Sequence, residues 1–228
     1  MFLSGVVRRS EERRRQRRRW AFFSNLLIKT LGAVCLAVVV IVSGCASDQP
    51  KYRYLAAVES DYPGYAKKES TAVFENQIMR LKARPLLAGE FKDQSPILND
   101  LAAKEFIIIR LEIENLSPQS SLIFNPSYIA LMTDSMDYFK PIDYTDMYDI
   151  VKEKDETGSS LRGLKGRFYD LTVTLMPGKS VGKLLIFKPL TEDADAAQLI
   201  IKNIYIGKED VDLALPFVVK ARPKEKKR

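Results

Sequence analysis

Few residues in this chain can do chemistry. It contains two cysteines, Cys35 and Cys45, and no histidine. Without an imidazole, no Ser-His or Cys-His nucleophile pair can form. The same counts exclude a zinc centre of the usual Cys/His type. Five acids crowd one stretch: Asp134, Asp137, Asp143, Asp146 and Asp149. The last three recur every third residue, which would bring them near one another on a helix. Such carboxylates are candidates for hydrolysis or calcium binding. Their spacing matches no calcium loop, and the sharp-turn glycine is missing. The expectation is therefore a solvated acidic face with no metal. Gly178-Lys179-Ser180 has the ending of a phosphate-binding loop, but the earlier glycine of that motif would fall at Val173. No cofactor and no catalytic residue are expected. Tyr138, Phe139, Tyr144 and Tyr148 lie among the acids. They form a candidate interaction surface, since aromatic side chains serve interfaces well. Packing of the same side chains onto the rest of the fold is the competing reading.

The distribution of charge removes the nucleic-acid reading that a formal net charge of +7 invites. Residues 1–44 hold nine basic residues and two acids. Of 36 basic and 29 acidic residues overall, 27 of each remain after residue 44. That remainder is neutral. Its only basic run is at 221–228, which reads as a solvated tail.

Those first 44 residues read as an export address. Arginines dominate 8–19, an apolar segment follows that is broken at Lys29, and an unbroken apolar run leads from Thr30 to Val42. A positive region, an apolar region and small residues at a cut form the pattern of a secretory signal. The basic side stays in the cytoplasm, so the rest faces outward. An uncleaved transmembrane helix over Ala21–Ser43 is the competing reading. Arg18-Arg19-Trp20-Ala21-Phe22 loosely resembles a twin-arginine signal.

Val42-Ser43-Gly44-Cys45 resembles the bacterial lipobox, in which an aliphatic residue, a small residue, and Gly or Ala precede a Cys. The resemblance implies cleavage between Gly44 and Cys45, with diacylglycerol on the Cys45 sulfur and an acyl group on its new amine. Two or more chains anchor a protein stably where one does not. Ala46 follows, rather than the Asp that marks inner-membrane retention in many enteric bacteria. The resemblance thus points to the outer membrane, facing the periplasm.

The remainder reads as one domain on a tether: 45–72 as the lipidated end and tether leading into a possible first strand, 73–220 as the domain, with an insert at 138–166. Short strands with turns between them recur. In Phe106–Asn115, Ile107, Ile109, Leu111 and Ile113 share one face, opposite Arg110, Glu112 and Glu114. Gln77–Leu86, Ser121–Phe124, Tyr128–Met132, Phe168–Leu175, Val181–Phe187 and Gln198–Ile206 follow the same logic. A last strand holds Val211, Leu213, Leu215 and Phe217, with Pro216 marking an edge. Met176-Pro177-Gly178-Lys179 suits a type II turn, and Phe168–Leu175 and Val181–Phe187 are expected to form a hairpin about it. Leu98–Lys104 and Tyr144–Lys154 are the candidate helices. Seven to nine strands with little helix predict a mainly β fold, an antiparallel immunoglobulin-like β-sandwich.

Ile109–Asn115 followed by a Ser-Pro turn, and later Leu175–Phe187, resemble the immunoglobulin-like domains of bacterial envelope lipoproteins of the DUF4352 type. That resemblance implies a sandwich and no activity. The combined expectation is a non-enzymatic, lipid-anchored interaction or assembly module. Its partners would be the membrane, through Cys45, and other envelope proteins, with no nucleic acid. A ligand-binding lipoprotein serving a transporter or sensor is the alternative, and a carboxylate-based hydrolase a further one.

Overall fold

Strand β5 (Ile107–Asn115) sets the logic of the molecule. The computed structural model describes residues 51–91, 95–152, 162, 164–169 and 171–223. The expected signal segment, Gly44, Cys45 and the run from 224 onward lie outside them. In β5, Ile107, Ile109, Leu111 and Ile113 all point into the core, as their period of two requires. Arg110, Glu112 and Glu114 point away. On one side β5 pairs with β4 (Met79–Leu86), which pairs with β3 (Thr71–Glu75) and then β2 (Tyr65–Lys68). On its other side lies β10 (Ser180–Phe187), completing a five-stranded antiparallel sheet.

The second sheet is antiparallel too. Its order begins β1 (Lys51–Ala57), β12 (Glu209–Pro223), β11 (Ala196–Ile206). Two short strands then share the free side of β11. They are β6 (Leu122–Phe124), which carries β9 (Val173–Leu175), and β7 (Ile129–Thr133), which carries β8 (Tyr138–Phe139). Packing the two sheets together gives the expected β-sandwich. Leu81, Ile109, Leu111, Leu185 and Phe187 meet Phe124, Leu199, Ile204, Leu215 and Phe217 between them.

A second apolar cluster covers part of the outer face of the five-stranded sheet. Ile108 and Ile186 point outward there. They are buried under helix α1 (Pro96–Ala103), through Leu98 and Leu101, and helix α2 (Tyr144–Val151), through Met147 and Val151. Pro96 opens α1, where its missing N–H costs nothing. Asp143 caps α2, its Oδ1 accepting from the Asp146 N–H at 2.8 Å. This double cover explains the runs Ile107-Ile108-Ile109 and Leu185-Ile186-Phe187. A strand buried on both faces reads as continuously apolar.

Several expectations change. Twelve strands occur among the described residues, not seven to nine. Within the supposed tether 45–72, residues 51–57 form β1, 65–68 form β2, and β3 begins at Thr71. β1 is held by pairing with β12, from the other end of the chain. The domain therefore reaches from Lys51 to Pro223 rather than from 73 to 220. The strand over Phe168–Leu175 shrinks to Val173–Leu175, and Leu171 is 72% exposed. Its Pro-Gly turn joins no hairpin. β9 belongs to one sheet and β10 to the other, so the turn carries the chain across the sandwich. The turn itself is as expected: the Lys179 N–H donates to the Met176 carbonyl at 3.1 Å, and Gly178 holds φ +68°. Pro216 does stand at an edge: β12 pairs with β1 only over 217–223, so at Pro216 β11 lies on one side and no described strand on the other. It stands one residue outside the pairing with β1, which ends at Phe217. Both candidate helices are present, and the later residues of the 138–166 insert fall largely outside the described set.

Candidate functional site

The aromatic cluster at the start of the insert divides by face. Tyr138 and Phe139 form β8, opposite Met132 and Leu131 of β7. The period of two sends Phe139 inward with Leu131, and it packs on the main core. Tyr138 goes outward and is 56% exposed. On α2, Met147 and Val151 are four residues apart and point into the second cluster. Tyr144 is half-buried there, its ring 6.3 Å from that of Phe168. Tyr148 is 51% exposed. Of the four candidates, then, Tyr138 and Tyr148 are available to a partner, while Phe139 and Tyr144 hold the insert in place. Met136, in the turn between β7 and β8, is more exposed than either tyrosine.

The five acids are each engaged locally. The Asp134 carboxylate accepts from the Asp195 N–H at 3.2 Å. Backbone hydrogen bonding, that of Ala196 first, holds its carboxyl below the usual range. Asp137 accepts from the Thr191 hydroxyl at 2.8 Å. Asp143 is the helix cap, Asp146 lies in the first turn where the helix dipole favours an acid, and Asp149 pairs with Lys152 at 3.0 Å. No three His, Cys, Asp or Glu side chains group to hold a metal ion among the described residues.

A charged ladder occupies the rest of the outer face of the five-stranded sheet. Arg80 makes two 2.8 Å bonds to Glu75 and a third to Glu114. Arg110 bonds Glu112 at 2.9 Å, and Lys82 approaches Glu112 at 3.9 Å. The hydrogen bond from Arg80 holds the Glu75 carboxyl below its usual range, aided by its charge. Opposite Glu112 stands Gly182, where an added Cβ would come within 3.1 Å of the Glu112 Cγ, and beside them lies an open depression of about 350 Å³. Arg80, Lys82, Arg110, Glu112 and Glu114 line it. Ligand pockets of this size are mostly apolar with few polar groups, and this one is the reverse. The alternation of Arg110, Glu112 and Glu114 signalled a polar face in the sequence. Their partners on β4 could not be read without the register.

One buried polar residue joins the two motifs that carried the family resemblance. Asn115, at the end of β5, is fully buried. Its Nδ2 donates to the Ser120 carbonyl at 2.8 Å and to the Leu175 carbonyl at 2.9 Å. Its Oδ1 accepts from the Ser117 N–H at 3.0 Å. Its own N–H and carbonyl bond Lys179 and Gly178, both at 2.9 Å. The strand ending in Asn and the later Pro-Gly turn are thus one hydrogen-bonded unit. Nearby, Tyr169 is buried, with its hydroxyl donating to the Leu111 carbonyl at 3.0 Å and its ring edge-on to Phe124.

Comparisons with known proteins return no family. No family model matches the chain. No curated protein matches it. Among solved structures, it is similar to the yjhA protein from Bacillus subtilis, at 15% identity and TM-score 0.35, over 62% of this chain and 93% of that one. It is also similar to a conserved hypothetical protein from Bacillus anthracis, at 14% identity and TM-score 0.28, over 72% and 97%. At these TM-scores neither likeness carries an argument.

Proposed function

We propose that this chain is a lipid-anchored protein of the bacterial envelope, acting as a non-enzymatic interaction or assembly module. The observation that carries this reading is Val42-Ser43-Gly44-Cys45 at the end of an apolar run with arginines before it. Such a run addresses a chain for export, and an acylated Cys45 would hold it at a membrane. The outer membrane, facing the periplasm, is the proposed location, since Ala46 rather than Asp follows the cysteine. The described part supports an interaction role in two ways. Its five clustered acids are occupied in capping, turns and an ion pair, and two aromatic side chains, Tyr138 and Tyr148, project from the insert. Aromatic side chains on an exposed surface are the usual anchors of protein contacts. The proposed partners are other envelope proteins.

Metabolic labelling with a fatty-acid probe tests the anchor. The wild-type chain is expected to take up label and Cys45→Ala to take up none. An unlabelled wild type, or a labelled Cys45→Ala, overturns the reading. Crosslinking in intact envelopes tests the module. Tyr138→Ala/Tyr148→Ala should lose a captured partner while keeping wild-type stability, and an unchanged capture pattern removes this surface from the proposal.

A further inference from the structure

The outer face of the seven-stranded sheet loses its charges midway. On β12, Leu213, Leu215 and Phe217 point into the core, so Asp212, Ala214, Pro216, Val218 and Lys220 point out. Charge stands at both ends of that outward row, with none between. The register lays similar residues beside it. Pro216 pairs with Gln198 of β11, Gln198 with Met132 of β7, and Met132 with Tyr138 of β8. Ala214 pairs with Ile200, and Ile200 with Ala130. Val218 pairs with Ala196 on one side and with Ala56 of β1 on the other. Outer faces of antiparallel sheets usually carry the polar half of the alternation. Across these rows the polar groups are the Gln198 amide and the Tyr138 hydroxyl. The charges form a rim: Asp134, Asp195 and Lys220 at one end, Lys202 and Asp212 at the other, all exposed. An uncharged centre inside a charged rim is the anatomy of a protein interface.

We infer that this face binds a second copy of the chain, sheet against sheet, about a two-fold axis that crosses the strands at Pro216, Gln198 and Met132. This names the partner of the face that carries Tyr138. It rests on the interaction role proposed above and not on the lipid at Cys45. The outward row of β12 selects both the copy and its direction. Stepping away from Pro216, Ala214 and Val218 are both apolar, and then Asp212 and Lys220 are opposite in charge. Turned end for end, that row is its own complement. Lys220 of each copy meets Asp212 of the other, as a two-fold interface requires. Asp212 is held on this face by accepting from the Asn203 N–H at 2.9 Å. Lys202 of each copy comes beside Asp134 and Asp195 of the other, at the end that Glu192 and Asp193 also make acidic. With the strands running the same way, Asp212 would meet Asp212 and Asp134 would meet Asp134, and like charges opposite each other are destabilising. Size follows charge. Ala196 falls opposite Ile200, and Ala214 opposite Val218, small against large, as interdigitating sheets about 10 Å apart require. From Asp212 to Lys220 the face is roughly 27 Å long, and it is three to four strands, roughly 17 Å, wide. Two such faces bury roughly 1,000 Å², the size of a weak, reversible interface.

Crosslinking of the full chain in intact cells with a membrane-permeant bismaleimide tests this. Two controls run beside Gln198→Cys. One is the unsubstituted chain, whose native thiols are Cys35 and Cys45. The other is Ala66→Cys, exposed on the outer face of the other sheet. Gln198→Cys should give a dimer band about tenfold stronger than either control, since only position 198 meets its own copy across the roughly 10 Å between packed sheets. Direction is read by coexpressing Ala214→Cys with a differently tagged Val218→Cys. The mixed pair should link, and neither chain should link well to itself. Self-linked pairs without the mixed one overturn the end-for-end arrangement. Ile200→Glu, added to Gln198→Cys, should reduce the band to the Ala66→Cys level in a chain that still melts cooperatively, and an undiminished band overturns the contact. A Gln198→Cys chain that links to a different polypeptide and not to itself overturns the second copy while keeping the interaction role. A chain that links to neither removes both from this face.

Discussion

Asn115 satisfies three buried backbone groups with one side chain, and its own backbone bonds two more residues. Replacing it by Ala strands the Leu175 and Ser120 carbonyls away from water. Each unsatisfied group costs about 1–3 kcal/mol. Urea denaturation of Asn115→Ala should therefore show a loss of about 2–4 kcal/mol. Asn115→Asp should lose at least as much, because a carboxylate cannot donate and its charge would be buried. Tyr169 gives a pH signature. Burial pushes its phenol above the ordinary value of 10.0, so the folded state keeps a proton that the unfolded state releases. The associated stability is complete below about pH 10 and is lost as pH rises through the folded value. Tyr169→Phe has no proton to lose there. Its stability should fall less steeply above about pH 10 than that of the wild type, as thermal melts across that range would show. A parallel decline in both proteins would refute the assignment.

At the scale of elements, the central strands were legible because burial follows period. β5 shows its core face in Ile107, Ile109, Leu111 and Ile113, and its solvent face in the charges between them. The burial of Ile108 on the opposite face was not legible from that alternation. Its cover comes from α1 and α2, whose buried side chains come from segments far apart in sequence. Met147 is wholly buried in this cluster, so Met147→Ala should cost about 2–5 kcal/mol by chemical denaturation. Tyr148→Ala, one residue on, should stay within about 0.5 kcal/mol of wild type, since it faces water. The Pro-Gly segment shows where local reading stops. Pro177 and Gly178 dictate a tight turn, but they do not say which strands flank it. β9 is drawn to β6 and β10 to β5, partners that lie about fifty to eighty positions earlier in the chain. The possible first strand after the tether could not be placed for a related reason. Tyr52-Arg53-Tyr54-Leu55 is short and mixed in polarity, and its partner strand begins more than 150 residues later. Of the candidate surface, exposure at Tyr138 and Tyr148 was readable only once β8 and α2 had fixed which way each ring points.

In the whole molecule the first and last described strands, β1 and β12, lie side by side in one sheet of the sandwich. The β1–β12 register also bears on folding. Lys51 and Pro223 are neighbours in space yet lie at opposite ends of the described chain. Closing a loop of that length is the slowest kind of pairing to search for. Joining position 223 to position 51 by a linker of about four residues would turn this pair into a local hairpin. New ends opened between Gly207 and Lys208 fall in an exposed turn, where cutting is tolerated. Such a circular permutant should keep the same sandwich. Its β1–β12 pair would form early, while the β11–β12 pair would become the distant one that closes last.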